Sequence, residues 1–135
     1  MTSRRLFGPL LLLVLLLAGC GHANGSPPSA PEQATLRLRI QDSNGWVEEQ
    51  PKPRFRTVRI RPGSTFTVSA ITGPLTFTVE SIEQGRIRLR SDQKLAQDGD
   101  YNDLASEFTL TRVGVMKLST PTFDAGTTVT LRVVR

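Results

Sequence analysis

Leu36-Arg37-Leu38-Arg39-Ile40-Gln41 alternates apolar and polar residues without a break. Successive side chains of an extended chain point to opposite faces, so a period of two describes a strand with one buried and one wet face, where an amphipathic helix repeats at 3.6. The same alternation returns in Val58 and Ile60 against Arg59 and Arg61, and in Phe66, Val68 and Ala70 against Thr65, Thr67 and Ser69. It continues in Leu75, Phe77 and Val79 against Thr76, Thr78 and Glu80, then in Ile87 and Leu89 framed by Arg86, Arg88 and Arg90. Phe108 and Leu110, Val115 to Leu118, and Val129, Leu131 and Val133 against Thr128, Thr130 and Arg132 complete the series. Fourteen of the 15 Thr residues fall in this region, many on the polar side, where β-branched side chains suit a pleated surface.

Between these runs stand turn residues. Asn44-Gly45 accepts positive φ and predicts a two-residue hairpin with Trp46 and Val47 starting the return. Pro62-Gly63, Gly73-Pro74 and Gln84-Gly85 mark further turns, and Glu48 to Arg54, with Pro51 and Pro53, reads as a loop. Ser91 to Ser106 is acidic and without period, and reads as a long loop with at most one helical turn at Asp103 to Ser106. Seven or eight short strands punctuated in this way predict an all-β fold over 35–135, an antiparallel β-sandwich or small barrel. Phe66, Phe77 and Phe108 belong to its core.

Those 101 residues are enough for one core that buries about two-thirds of the unfolded surface, and too few for two domains with a cleft between them. The single His, His22, and the single Cys, Cys20, both precede them. That excludes a Cys/His metal centre, a His-based triad, a copper site and an internal disulfide from the β-domain. Lys52, Lys94 and Lys117 stand apart and activate no Ser, and Asp98, Asp100 and Asp103 have no evident pocket to raise a pKa for glycan hydrolysis. The expectation is a protein without catalytic residues or cofactor, not an enzyme.

The first residues carry an address. Arg4 and Arg5 precede an apolar run from Leu6 to Ala18, shorter than the roughly 20 residues of a transmembrane helix, which gives a signal peptide. Its end, Leu17-Ala18-Gly19-Cys20, resembles the lipobox of bacterial lipoproteins. The resemblance implies cleavage between Gly19 and Cys20 and acylation of Cys20, with two or three chains such as palmitate making a lasting membrane anchor. Gly21 and His22 follow where many inner-membrane lipoproteins carry Asp, which implies the outer membrane if the envelope has one. Ser3-Arg4-Arg5-Leu6-Phe7 resembles the start of a twin-arginine motif, but Gly8-Pro9 and the dense Leu run suit the general secretory route. The organisation expected is therefore signal peptide 1–19, lipidated Cys and linker 20–34, and β-domain 35–135. The linker is rich in Gly, Ser, Ala and Pro, and as a flexible coil it holds the domain on the order of 20 Å from the lipid.

Charge placement suggests what the domain meets. It carries 15 basic and 11 acidic residues, and Arg37, Arg39, Arg59, Arg61, Arg86, Arg88 and Arg90 all fall on the polar side of their runs. Where two such strands are neighbours, their guanidinium groups form a basic stripe suited to phosphate or carboxylate on lipid, cell-wall polymer or acidic protein. The same placement also serves simply to keep strand faces wet. Nucleic acid is not expected outside the cytoplasm, with few aromatics to stack bases. Asp98-Gly99-Asp100-Tyr101-Asn102-Asp103 offers alternating oxygens, but Asp103 and Thr109 stand where a calcium loop needs Gly and Glu, so a solvated acidic loop is expected.

Trp46 and Tyr101 are the aromatics suited to anchoring a partner. Phe123-Asp124-Ala125-Gly126-Thr127-Thr128-Val129-Thr130 resembles the corner before strand F of immunoglobulin-like domains, with Thr128 and Thr130 where that family has Tyr and Cys. The resemblance implies a sandwich with an Asp-Gly corner. Together these readings give a lipid-anchored extracytoplasmic binding domain, an adaptor or inhibitor that meets an envelope protein through loops 44–54 and 91–106. The alternative is a structural envelope protein docked on anionic lipid or wall polymer through its arginine face.

Overall fold

The computed structural model describes residues 32–135, and among these described residues there are eight strands and no helix. They are β1 (Ala34–Asn44), β2 (Arg54–Ile60), β3 (Thr65–Ala70), β4 (Gly73–Glu83), β5 (Arg86–Gln97), β6 (Asp100–Thr111), β7 (Val115–Ser119) and β8 (Ala125–Val134). All pair antiparallel in one sheet of order β2-β1-β8-β7-β5-β4-β3, with β6 beside β5, and the sheet curls into a nearly closed barrel. The all-β fold expected from the alternation is the fold observed. Inward residues of each run make the core: Leu36 and Leu38 of β1, Leu75 and Phe77 of β4, and Val129 and Leu131 of β8 are fully buried. Phe66 stacks on Phe77 with ring centres 5.1 Å apart, and Phe108 is buried with them.

Two expectations are corrected. Residues 91–106 form no loop but the far halves of β5 and β6, joined by a tight turn at Asp98 and Gly99. Both have positive φ, 50° and 84°, the backbone that a two-residue hairpin turn needs and that Gly adopts without strain. The period fails here because β5 changes partner. One edge follows β6, while the other pairs β4 up to Ser91 and then β7 at Ala96 and Gln97, with the register to β6 shifting between Arg90 and Leu95. Across the change, side chains replace ladder bonds: Asp92 Oδ1 accepts from Thr76 N at 3.0 Å and Gln93 Nε2 donates to the Pro74 carbonyl at 3.2 Å.

The second correction concerns Asn44-Gly45, which does not close a two-residue hairpin. Trp46 and Val47 belong to a longer connection, residues 45–53, before β2 begins at Arg54. Asn44 lies in register with Ala125 of β8, and Gly45 N donates to the Asp124 carbonyl at 2.7 Å, so the chain leaves along β8 rather than folding back on itself. Asn44 Oδ1 accepts from Trp46 N at 3.0 Å, and the Gln50 side-chain amide ties down the carbonyls of Asn44 and Val47.

The sheet's two ends, β2 and β3, face one another across a seam that side chains bridge. Arg54 Nη2 donates to the Ser69 carbonyl at 2.7 Å and Arg56 Nη1 to the Thr67 carbonyl at 2.6 Å. Arg54 and Arg56 stand in register with Ile40 and Leu38, so these are inward positions whose stems lie toward apolar surface while their charged heads reach β3. Arg54 also pairs with Asp42 at 3.0 Å.

The barrel has two distinct ends. At one, the chain arrives at Ala34, Glu32 pairs with Arg112 of the β6–β7 turn, and Arg112 N donates to the Gly85 carbonyl of the β4–β5 turn. At the other lie the 45–53 loop, the β3–β4 turn and the 120–124 loop, tied together by Gly45 N to Asp124 and by Ile71 N to Thr127 Oγ1 at 2.8 Å.

Candidate functional site

The strand order separates the predicted arginines into two groups. Arg37 and Arg39 of β1 and Arg59 of β2 lie on one outward face, because those strands are neighbours. Arg86, Arg88 and Arg90 of β5 lie on the outward face of the β3-β4-β5-β6 part of the sheet. They are not brought to the first group. Arg61 sits just beyond β2, where its backbone bonds Ser64 and its side chain borders a shallow hollow with Gln33, Arg59 and Ser64.

The two groups differ in their surroundings. Glu80 stands 3.8 Å from Arg88 and 3.5 Å from Arg90, Glu107 lies in register with Arg90, and Glu83 with Arg86. Each arginine of β5 therefore has a carboxylate beside it on its own face. On the β2-β1-β8-β7 face no strand position that points outward is acidic. Arg37 is in register with Arg132 of β8, which in turn faces Val115 of β7, and Arg39 with Thr130, which faces Lys117. Among the described residues Arg37, Arg39, Arg59, Lys117 and Arg132 make no ion pair. Arg39 only touches Gln41 Oε1 at 3.2 Å.

Arg132 and Lys117 are functional candidates that the sequence reading left out. Both sit on the polar side of their runs, but nothing in a sequence says that the last strand lies beside the first. Between these cations the surface dips into a hollow of about 400 Å³, lined by Arg37, Arg39, Arg132, Phe55, Val115 and Thr130. Phe55 is 63% exposed although it lies within β2, because its parity puts it outward beside Arg39. The hollow thus has arginines on its two central strands and apolar Phe55 and Val115 on the strands that flank them, and its lining holds no titratable pair that could shuttle a proton.

The end of the barrel away from Ala34 carries exposed apolar side chains among charged ones. Trp46 is 81% exposed and Phe123 98%, and Val47 and Ile71 are exposed beside them in sequence or on the adjoining turn. Gly45 bonded to Asp124 places the Trp46 and Phe123 loops side by side. Tyr101, exposed on β6, is elsewhere, next to the Asp98-Gly99 turn.

The acidic segment is occupied with its own turn. Asp98 Oδ1 accepts from Lys117 N at 3.1 Å, Asp98 N donates to the Lys117 carbonyl at 2.8 Å, and Asp100 Oδ1 accepts from Asn102 N at 3.1 Å. Among the described residues no three carboxylate, His or Cys groups gather closely enough to hold a metal ion. Gly19, Cys20 and His22, and the signal peptide and most of the linker with them, lie outside the described residues. No family model, curated protein or solved structure matches the chain.

Proposed function

We propose that this protein is a lipid-anchored binding module of a bacterial envelope, in which acylated Cys20 holds the chain to a membrane and the β-domain captures an envelope protein through its far end. The observation that carries the reading is the pair of nearly bare aromatics, Trp46 and Phe123, on adjacent loops at the end opposite to Ala34. Large aromatics left in water cost solvation and contribute most when a partner covers them, which is why they dominate interface energetics. Anchorage supports the reading from the other direction. Leu17-Ala18-Gly19-Cys20 would put the tether on the Ala34 side, which leaves the aromatic end clear of the attachment point.

The contact surface is narrower than the sequence suggests. Residues 45–53 belong to it, the 120–124 loop joins it, and residues 91–106 are withdrawn from it because they are paired strands. No catalytic role is proposed.

Intact-protein mass spectrometry combined with cross-linking on membranes from cells making the wild type, Cys20→Ser, and Trp46→Ala/Phe123→Ala tests both halves. A diacylglyceryl or triacyl mass on the wild type, absent in Cys20→Ser, and a cross-linked envelope protein lost in the double aromatic variant are expected. An unmodified Cys20 would remove the anchor, and a cross-link indifferent to both aromatics would remove the loops from the contact.

A further inference from the structure

The aromatic end leaves the cationic hollow on the side of the barrel unexplained. We propose that the outward face of β2-β1-β8-β7 binds an acidic saccharide chain, with Arg37, Arg39, Arg132 and Lys117 holding its carboxylates and Phe55 packing against its sugar rings.

Charge comes first. This face gathers cations that make no ion pair from strands that are far apart in sequence and contains no outward carboxylate within its strands, Asp98 at its β7 edge being bonded to the Lys117 backbone, whereas the three arginines of β5 each have an acid beside them. If arginine served only to keep strand faces wet, acids would be expected on both faces. An uncompensated cluster attracts an anionic ligand and repels cationic ones.

Spacing comes second. Arg37 and Arg132 are register partners on adjacent strands, so their backbones stand about 5 Å apart, which is also the repeat of a pyranose chain. Arg39 lies two residues along β1 from Arg37, about 7 Å away, and Lys117 lies one strand beyond Arg132. A chain laid across β1, β8 and β7 meets Arg37 and Arg132 and then Val115 in one row, and Arg39, Thr130 and Lys117 in the next, so each row offers two cations and the four are reached by a chain running obliquely. Guanidinium forks match carboxylates two bonds at a time, and three of the four groups are arginine.

Shape decides between a saccharide and a membrane surface. A bilayer presents a broad plane of headgroups, while the arginines here line a hollow of about 400 Å³ flanked by Phe55 on β2 and Val115 on β7. A hollow of this kind suits a body of limited width with apolar C–H faces and charged substituents. Sugar rings have both, and the exposed Phe55 ring offers a flat face to one of them.

The test uses the full-length Cys20→Ser chain, which carries no acyl group, with oligogalacturonate as the carboxylated pyranose chain. Vesicles of phosphatidylglycerol, compared with neutral phosphatidylcholine vesicles, serve as the competing anionic surface. Binding followed by calorimetry at low ionic strength should weaken steadily as salt is added. Arg37→Ala/Arg132→Ala should lower affinity at least about tenfold, the loss expected for charge-assisted contacts. Phe55→Ala should lower it several-fold while leaving the salt dependence unchanged.

Arg86→Ala/Arg88→Ala removes the same charge from the opposite face and should leave affinity intact. All these side chains are exposed, and an unchanged unfolding midpoint confirms that each variant is folded. Absence of oligogalacturonate binding overturns the proposal. So does an equal loss in Arg86→Ala/Arg88→Ala, which would reduce the effect to net charge, or a preference for phosphatidylglycerol vesicles indifferent to Phe55→Ala, which would make the face a lipid-docking surface.

Discussion

Gly126 is a residue at which the backbone leaves no room for a side chain. A β-carbon built there would lie 2.7 Å from Thr122 Oγ1 and 2.9 Å from Thr120 Oγ1, and the latter hydroxyl already accepts from Thr127 N at 2.9 Å. Gly126→Ala must therefore displace the cap that starts β8, and overpacking of this kind costs about 1–3 kcal/mol. Urea unfolding should show it as a lower midpoint. Gly99→Ala meets no atom within 4 Å but keeps a φ of 84°, so its loss is backbone strain alone, about 1 kcal/mol.

Phe77→Ala empties the centre of the core beneath Phe66 and should cost about 3–5 kcal/mol in the same assay. At this scale the sequence is informative where parity decides burial. Phe66, Phe77 and Phe108 fall on apolar sides and are buried, and the same rule applied to β2 turns Phe55 outward. Parity is silent about Phe123, whose exposure depends on a loop that no periodicity describes.

Among the elements, β2 and β3 expose the vulnerability of a sheet that stops short of closing. Unpaired strand edges invite pairing with other chains, and Arg54 and Arg56 occupy two of the β3 carbonyls that such a pairing would use. Replacing both with alanine should cost roughly 1 kcal/mol per lost hydrogen bond to a charged group and, more tellingly, should produce dimers or larger species in sedimentation velocity at concentrations where the parent is monodisperse. A variant that stayed at the parent's size would mean that the seam is protected by something other than these two side chains.

Elements that keep one partner along each paired edge were also the legible ones. β1, β3, β4 and β8 alternate over most of their length, β4 up to the bulge at Glu80, because each turns one face to the core. β5 and β6 defeat it, since a strand that leaves one neighbour for another must shift register, and the Asp98-Gly99 turn between them then reads as part of an acidic loop. The cationic face was half legible for a related reason. Outwardness is local, so Arg37, Arg39 and Arg59 announce it, but the adjacency of Arg132 and Lys117 is a property of the strand order.

For the molecule as a whole, the longest pairing joins the first strand to the last, from Thr35 opposite Val134 to Asn44 opposite Ala125. β7 and β1 meet only through β8, so removing β8 opens the barrel between its two halves and uncovers Leu36, Leu38, Met116 and Leu118. A chain ending at Asp124 should lack a cooperative unfolding transition by circular dichroism, whereas loss of Arg135 alone should go unnoticed. Folding of the intact domain should also be slow, on the millisecond-to-second scale usual for sheets dominated by distant pairings.

That pairing of the two ends bears on how the protein is made. A polypeptide threaded through a narrow pore delivers its strands in order, and here the strand that completes the circuit is delivered last. Until it arrives, β1 has one edge without a mate and the nascent chain has no finished core to lodge in the channel. On the export proposed above, this architecture would keep the chain pliable during its passage and set it only once β8 had followed.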